Sequence, residues 1–194
     1  MLNKRQAGFT LVEIAIVLVI VGLLIGGVLK GQEMITNAKL KRVESDNAGI
    51  LAALYSYQDR YLQLPGDDNN AGTRFTVYVD ASLPLASGDG DGVIDGAWDA
   101  TPAGSGLWAA TATQESTKFF AHLRAAGLIA GGALADTRPT NAFGGQIGMQ
   151  DGSLDMVGQI TVFGGIEGSI AAILDGRMDD GVQNTGRVRS QIVG

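Results

Sequence analysis

The chain opens with a long run of apolar residues that contains a single charged position. From Phe9 to Leu29 every residue is apolar, glycine or threonine except Glu13. At about 1.5 Å per helical residue, this run can cross a hydrocarbon layer of roughly 30 Å. Because lipid requires backbone polar groups to be paired within the chain, the run predicts one membrane-spanning helix.

The apolar pattern changes after Lys30 from continuous to one-sided, and no proline interrupts the chain before Pro65. Apolar residues recur at three- and four-residue steps, which is typical of an amphipathic helix. They are Leu40, Val43, Ile50, Leu51, Leu54, Tyr57 and Tyr61. We therefore expect one helix over 9–61, apolar on all sides over 9–29 and amphipathic over 30–61.

The remainder, residues 62–194, predicts a globular domain of mixed elements. Leu64 to Asn70, LPGDDNN, ends the long helix through proline geometry and turn-forming side chains. The later predicted elements are a strand over 75–79, a helix over 113–127, strands over 141–149 and 156–163 around a turn at 150–155, a short helix over 166–174 and a final strand over 188–193. The fold class expected is α+β, with a small antiparallel sheet and short accessory helices packed on the long helix.

Charge argues against one class of function, and the cysteine content limits how the fold can be stabilised. The chain has 14 Lys and Arg against 20 Asp and Glu, a net charge of −6, which argues against a protein that coats nucleic acid electrostatically. There is no cysteine, so stability must come from the core, from assembly or from a bound ion.

Glu13 needs an explanation, because an ionised carboxylate near the membrane interior costs a few kcal/mol unless it pairs or reaches the interface. One interpretation is that Glu13, one turn from the helix start, simply reaches the interface. The other uses residues 1–8, a short polar segment that ends in Gly8. Cleavage between Gly8 and Phe9 would create an ammonium group on Phe9, which can neutralise Glu13 of an adjacent copy.

The sequence Gly8-Phe9-Thr10-Leu11-Val12-Glu13, followed by the apolar run, resembles the cleavage and methylation signature of type IV prepilins and type II secretion pseudopilins. The resemblance implies that residues 1–8 are a leader peptide, that a prepilin peptidase cuts after Gly8 and that Phe9 is N-methylated. It also implies that Glu13 registers an incoming subunit against the previous one. The expected fold is therefore pilin-like.

Three functions follow from this resemblance. The first is a structural subunit of a type IV pilus; the second is a pseudopilin of a type II secretion system; the third is a minor pilin with an adhesive or binding role at a filament tip. The implied partners are further copies of the chain, the peptidase, an inner-membrane assembly platform and other minor pilins or pseudopilins, with no nucleic acid. The implied location is the bacterial inner membrane as a single-pass precursor, then an extracellular pilus or, for a pseudopilin, the periplasm.

One loop carries candidate metal ligands. Residues 87–99, SGDGDGVIDGAWD, space four carboxylates through glycines, as calcium binding requires. An alignment with an EF-hand-type loop fails at both ends, where Ser87 and Trp98 take the ligand positions. A calcium site and a solvated Asp-Gly turn therefore both remain open, and Asp67 or Asp68 can complete the ligand shell. The candidate ligands are Asp89, Asp91, Asp95 and Asp99.

No pattern in the chain indicates an enzyme. The sequence contains no GxSxG elbow, phosphate loop, zinc spacing or dinucleotide fingerprint. His122 is the single histidine, and a catalytic imidazole needs a partnered nucleophile or metal. We therefore expect His122 to be a surface residue of the helix over 113–127, and we expect a protein without enzymatic activity.

Overall fold

The computed structural model describes residues 10–75, 85–100, 114–132 and 138–191. Its helices and strands follow the order α1 (Leu11–Tyr61), α2 (Ala71–Arg74), α3 (Glu115–Ala125), β1 (Ile147–Ser153), β2 (Met156–Phe163) and α4 (Gly168–Met178). The chain forms two compact units, Met1–Lys41 and Arg42–Gly194. The fold is α+β and pilin-like, as predicted.

The first unit contains the N-terminal part of α1. This helix includes a stretch that is long and apolar enough, by length and composition, to cross a membrane, and none of that stretch is buried in the single chain. Leu11 is 91% exposed and Leu23 is 73% exposed. The core helix of a soluble protein would instead bury such side chains, so the apolar surface of α1 requires cover from outside the chain.

The second unit has its own apolar core, to which α1, α3 and β1 all contribute. On α1 the buried residues follow the predicted three- and four-residue steps, with Ile50, Leu54 and Tyr57 facing inward. From α3, Phe119 and Phe120 are fully buried, and their rings meet edge to face at 5.0 Å. Between Arg42 and Tyr61, the buried side of α1 is therefore the side on which this unit packs.

Helix α3 lies inside the predicted range 113–127 and ends as the sequence indicates. The N–H of Leu128 donates to the carbonyl of Leu123 at 3.0 Å, which closes the helix with Gly127 between them at φ +69°. A positive φ is tolerated by glycine without steric cost, so Gly127 is the residue that allows the chain to leave the helix here.

In the described ranges the sheet consists of the antiparallel pair β1 and β2, in which Ile147 lies opposite Phe163 and Gln150 opposite Ile160. Strand β2 has the predicted bounds, whereas β1 begins at Ile147 rather than at residue 141 and continues to Ser153. The turn between them consists of Leu154 and Asp155, both at positive φ. The expected turn over 150–155 is therefore wrong for residues 150–153, where polar residues continue the ladder, with an irregularity between Asp151 and Ser153.

The other predicted elements have mixed outcomes. Helix α4 confirms the short helix near 166–174 but continues to Met178, where Arg177 pairs with Glu44 of α1 at 2.7 Å. The final strand over 188–193 is wrong for residues 188–191, which form no strand, and the rest of it lies outside the described residues. Of the strand over 75–79, Phe75 is a buried turn residue and 76–79 lie outside the described residues.

His122 is not the surface residue that its helix position predicts, because it has no exposed surface. The N–H of Gly66 donates to Nδ1 of the ring at 2.9 Å. The ring proton is therefore on Nε2, which donates to the carbonyl of Ala86 at 2.8 Å. The imidazole also stacks on Tyr57, at 6.3 Å between ring centroids. Its role is to tie the turn after α1 and the backbone at Ala86 to helix α3.

The burial of His122 generates a pH prediction. Burial lowers the pKa of His122 from 6.5 to about 4, because the charged ring would lose its hydration. The unfolded chain binds the proton at higher pH, so the contribution of His122 to the free energy of unfolding is complete above pH 6.5 and is lost as the pH falls through 4. That loss amounts to about 3 kcal/mol at most.

The measurement is a proton NMR titration of the detergent-solubilised chain, in which the single histidine gives one assignable ring resonance. We expect a neutral ring with its proton on Nε2 at every pH above about 5. A midpoint near 6.5 in the folded chain would show that His122 is hydrated and would contradict its described position.

Candidate functional site

The N-terminal site begins at the start of α1, where Thr10 and Glu13 bond to each other reciprocally. The N–H and the hydroxyl of Thr10 donate to the Glu13 carboxylate at 2.9 Å and 2.8 Å, and the N–H of Glu13 donates back to the Thr10 hydroxyl at 3.2 Å. This is a capping box, which satisfies N–H groups that the first helical turn leaves free. Gly8 and Phe9, the residues of the predicted cleavage and methylation, lie outside the described residues.

The second site is a group of four carboxylates in the globular unit. Asp67, Asp89, Asp91 and Glu115 each place a carboxylate oxygen within 4.8 Å of the others. Three elements supply them. Asp67 comes from the turn after α1, Asp89 and Asp91 come from the loop over residues 87–99, here called the glycine-rich loop, and Glu115 is the first residue of α3. We call these four residues the acidic cluster.

Two buried carboxylates organise the glycine-rich loop around themselves. Asp67 accepts the N–H groups of Gly90 and Gly92 at 2.6 Å and 2.9 Å. Glu115 accepts the N–H groups of Asp89 and Asp95 at 2.8 Å and 3.3 Å. The loop has no regular secondary structure, and hydrogen bonds from its backbone N–H groups to these two carboxylates hold it in place. Asp67 is 1% exposed and Glu115 is 0% exposed.

The loop needs glycine at several of these positions. Gly90 and Gly92 lie at φ +83° and +92°, where other residues are strained. At Gly88 an added Cβ would lie 2.3 Å from the backbone of Asp67. The glycine spacing of the loop therefore follows from its close wrapping around Asp67, whether or not an ion is present.

The electrostatics of the acidic cluster favour a positive charge. Burial raises the pKa of Glu115 to about 7, and the carboxylates of Asp67 and Asp89 add to this effect. Burial also raises the pKa of Asp67. The buried ammonium of Lys118 donates to the carbonyl of Ser87 at 2.8 Å and contributes a nearby positive charge, although burial lowers its own pKa. A divalent cation bound by these oxygens would stabilise the ionised carboxylates.

Only part of the predicted ligand set comes together. Asp89 and Asp91 belong to the acidic cluster, whereas Asp95 and Asp99 do not. The carboxylate of Asp95 is exposed and only its backbone N–H reaches Glu115. The carboxylate of Asp99 interacts electrostatically with the guanidinium of Arg138. Two of the four predicted ligands, Asp95 and Asp99, are therefore not members of the acidic cluster.

Of the two candidates for completing the shell, Asp67 joins the acidic cluster and Asp68 does not. Asp68 is fully buried, accepts the Tyr57 hydroxyl at 2.6 Å and forms an ion pair with Arg74. Glu115, the remaining member of the acidic cluster, is not among the ligands expected from the sequence. Glu115 lies outside the glycine-rich loop, on a helix, and no local sequence pattern indicates that it contacts the loop.

The comparisons with known proteins concern the N-terminus. Residues 3–29 match the family model described as the prokaryotic N-terminal methylation motif. Searches of curated proteins and of solved structures gave no match to the chain. The matched residues include Gly8, Phe9 and Glu13, and they overlap the exposed apolar part of α1. The chain therefore carries the N-terminal signature of type IV pilins and pseudopilins, followed by an α+β, pilin-like fold.

Proposed function

We propose that the protein is a structural subunit of a type IV pilus filament. The observation that carries this proposal is the methylation motif over residues 3–29 on a helix whose apolar stretch is left uncovered by its own chain. Lipid covers that stretch in the precursor, and the same stretch of other copies covers it in the filament. The chain acts by assembling, and it has no enzymatic role in this proposal.

The maturation steps follow from the motif. Prepilin peptidase cleaves after Gly8 and the new N-terminus, Phe9, is methylated. The precursor is a single-pass protein of the bacterial inner membrane, and an assembly platform there transfers it to the growing filament. The mature subunit ends in the extracellular pilus, together with minor pilins.

The helix has features that suit packing against identical helices. Gly22, Gly26, Gly27 and Gly31 lie on α1. Beyond the neighbouring residues and backbone of the helix itself, an added Cβ at any of them would meet no atom within 4 Å. Glycines spaced four apart let helix backbones approach closely, which favours association in lipid through van der Waals contact. Register is set, in this proposal, by the Phe9 ammonium of one copy and the Glu13 carboxylate of the next.

A pseudopilin of a type II secretion system is the second candidate, because the same motif and helix occur in both classes of subunit. In that case the assembled form stays in the periplasm. A minor pilin with a binding role at the filament tip is the third candidate.

The experiment that tests the proposal is electron microscopy of sheared surface material, with mass spectrometry of the same fraction. We expect surface filaments that contain this chain, beginning at methylated Phe9. A processed chain confined to the cell envelope, without surface fibres, would instead support the pseudopilin or a scarce minor subunit. An unprocessed chain that still begins with residues 1–8 would contradict all three.

The registration role of Glu13 gives a second prediction. Glu13→Ala should leave cleavage largely intact and abolish most filaments, since the Phe9 ammonium then lacks its partner. Glu13→Gln is the matched variant, because glutamine preserves a capping box but removes the negative charge. We expect Glu13→Gln to assemble as poorly as Glu13→Ala, measured as filament yield per processed chain. A normal yield from Glu13→Gln would rule out a charge-based registration.

We also propose that calcium binds at the acidic cluster. Four carboxylates from three parts of the chain supply hard oxygen ligands, and Asp67 and Glu115 are buried. The N–H groups of the glycine-rich loop already fix both of these carboxylates. An ion would therefore bind a largely formed site and would connect the turn after α1, the loop and α3.

Two variants of exposed loop residues separate this site from the ligand set expected from sequence. Asp91→Asn changes a member of the acidic cluster, whereas Asp95→Asn changes a carboxylate outside it. At a calcium concentration about 100 times Kd, wild type gains about 2.7 kcal/mol, or roughly 5–10 °C in melting temperature. We expect Asp95→Asn to retain this shift and Asp91→Asn to lose most of it in a thermal melt. The absence of any shift in wild type at millimolar calcium would exclude the ion.

A further inference from the structure

Three Asp-Gly pairs in the described part of the globular unit share one hydrogen-bonding arrangement. They are Asp89-Gly90 and Asp91-Gly92 in the glycine-rich loop and Asp180-Gly181 after α4. In each pair the aspartate carboxylate accepts the backbone N–H two residues further along the chain, at 2.8–3.2 Å. This bond folds the carboxyl group over the peptide that contains the glycine nitrogen.

The N–H of each of these glycines is donated to a second carboxylate, which is buried. Asp67 accepts the N–H of Gly90 on Oδ1 at 2.6 Å and that of Gly92 on Oδ2 at 2.9 Å. Asp175, on α4, accepts the N–H of Gly181 at 3.2 Å. The same arrangement therefore occurs in two separate loops, and what the two loops have in common is the Asp-Gly pair.

An Asp-Gly pair is chemically reactive because glycine has no side chain to hinder its own nitrogen. The nitrogen attacks Cγ of the aspartate, a C–N bond forms, and the N–H proton leaves with the carboxyl hydroxyl group as water. Water then opens the five-membered succinimide ring at either carbonyl. Opening at the former main-chain carbonyl leaves the chain connected through the side chain, as isoaspartate, with one additional backbone carbon and no change in mass.

Donation of the glycine N–H to a carboxylate opposes the first of these steps. The nitrogen must lose its proton and turn towards Cγ, whereas a charge-assisted hydrogen bond fixes both the proton and the peptide plane. The negative charge of the acceptor also disfavours a negative charge that develops on the nitrogen, and burial of the acceptor strengthens this effect.

We propose that Asp67 and Asp175 are protecting residues, which suppress isoaspartate formation at Asp89, Asp91 and Asp180 by holding the N–H of the glycine that follows each. This role goes beyond filament assembly and does not depend on it. Its consequence is largest in the glycine-rich loop, because isomerisation of Asp89 or Asp91 would move a carboxylate of the acidic cluster.

Three substitutions test the two protecting residues separately. Asp67→Ala removes the acceptor in one loop and Asp175→Ala removes the acceptor in the other, so each variant is the matched control for the other. Asp67→Asn keeps the side-chain volume, which guards against a failure of the alanine variant to fold. Its amide also retains one oxygen that accepts an N–H, where the carboxylate has two.

The measurement follows isoaspartate in the full chain in detergent micelles during a long incubation at neutral pH. Electron-transfer mass spectrometry of peptide fragments distinguishes isoaspartate from aspartate at each position. A chelator is present throughout, so the result is independent of calcium binding at the acidic cluster and of filament formation.

We expect Asp67→Ala to raise the rate of isoaspartate formation about tenfold at Asp89 and Asp91 and to leave Asp180 at the wild-type rate, as expected for loss of a hydrogen bond to a charged group. Asp175→Ala should do the converse, and Asp67→Asn should raise the rate at one of the two positions in the glycine-rich loop. Unchanged or lower rates at Asp89 and Asp91 in both Asp67 variants would overturn the proposal. An equal rise in both loops would also overturn it, because folding as a whole would then provide the protection.

Discussion

The apolar surface of α1 is the constraint on which the rest of the molecule depends. Burying one large aliphatic side chain is worth about 1.5–3 kcal/mol, whereas a folded domain is stable by only about 5–15 kcal/mol. Between Leu11 and Leu29 more than half of the positions carry such side chains, and the chain itself covers none of them. The apolar stretch therefore needs an apolar environment outside its own chain, which a membrane supplies and which, in the proposed function, the same stretch of other copies supplies in the filament.

The globular unit presents a different problem, because regular secondary structure is sparse in the part of it that the structure describes. Buried polar side chains accept and donate the backbone hydrogen bonds that neighbouring strands would otherwise supply. Asp67 and Glu115 accept backbone N–H groups of the glycine-rich loop, and His122 bonds to the backbone on both sides of its ring. Each of these groups is paired, so its burial is compatible with a stable fold. The same carboxylates that hold the loop form the acidic cluster.

Elements with local signals could be predicted from sequence, whereas relations between distant segments could not. The period of α1 identified its apolar and amphipathic parts, and the hexapeptide from Gly8 to Glu13 identified the family signature. The hairpin was predicted but its turn was displaced, because polar strand residues and turn residues look alike in a single sequence. His122 was assigned to the surface because its partners are backbone groups about 36 and 56 residues away, for which the sequence has no pattern. Glu115 was missed as a member of the acidic cluster for the same reason.

Chemical labelling of α1 shows directly whether its apolar stretch is shielded from water, and the chain contains no cysteine that would interfere. A cysteine placed at Val17, within the uncovered apolar stretch, is exposed to a membrane-impermeant maleimide in isolated membranes and in sheared filaments. A cysteine at Lys41, a surface position outside that stretch, is the control. If lipid or other copies cover the apolar stretch, we expect Val17→Cys to stay unlabelled in both samples until detergent and denaturant are added. We expect Lys41→Cys to react in the membrane sample. Labelling of Val17→Cys in undisrupted samples would show that this surface faces water and would contradict the account.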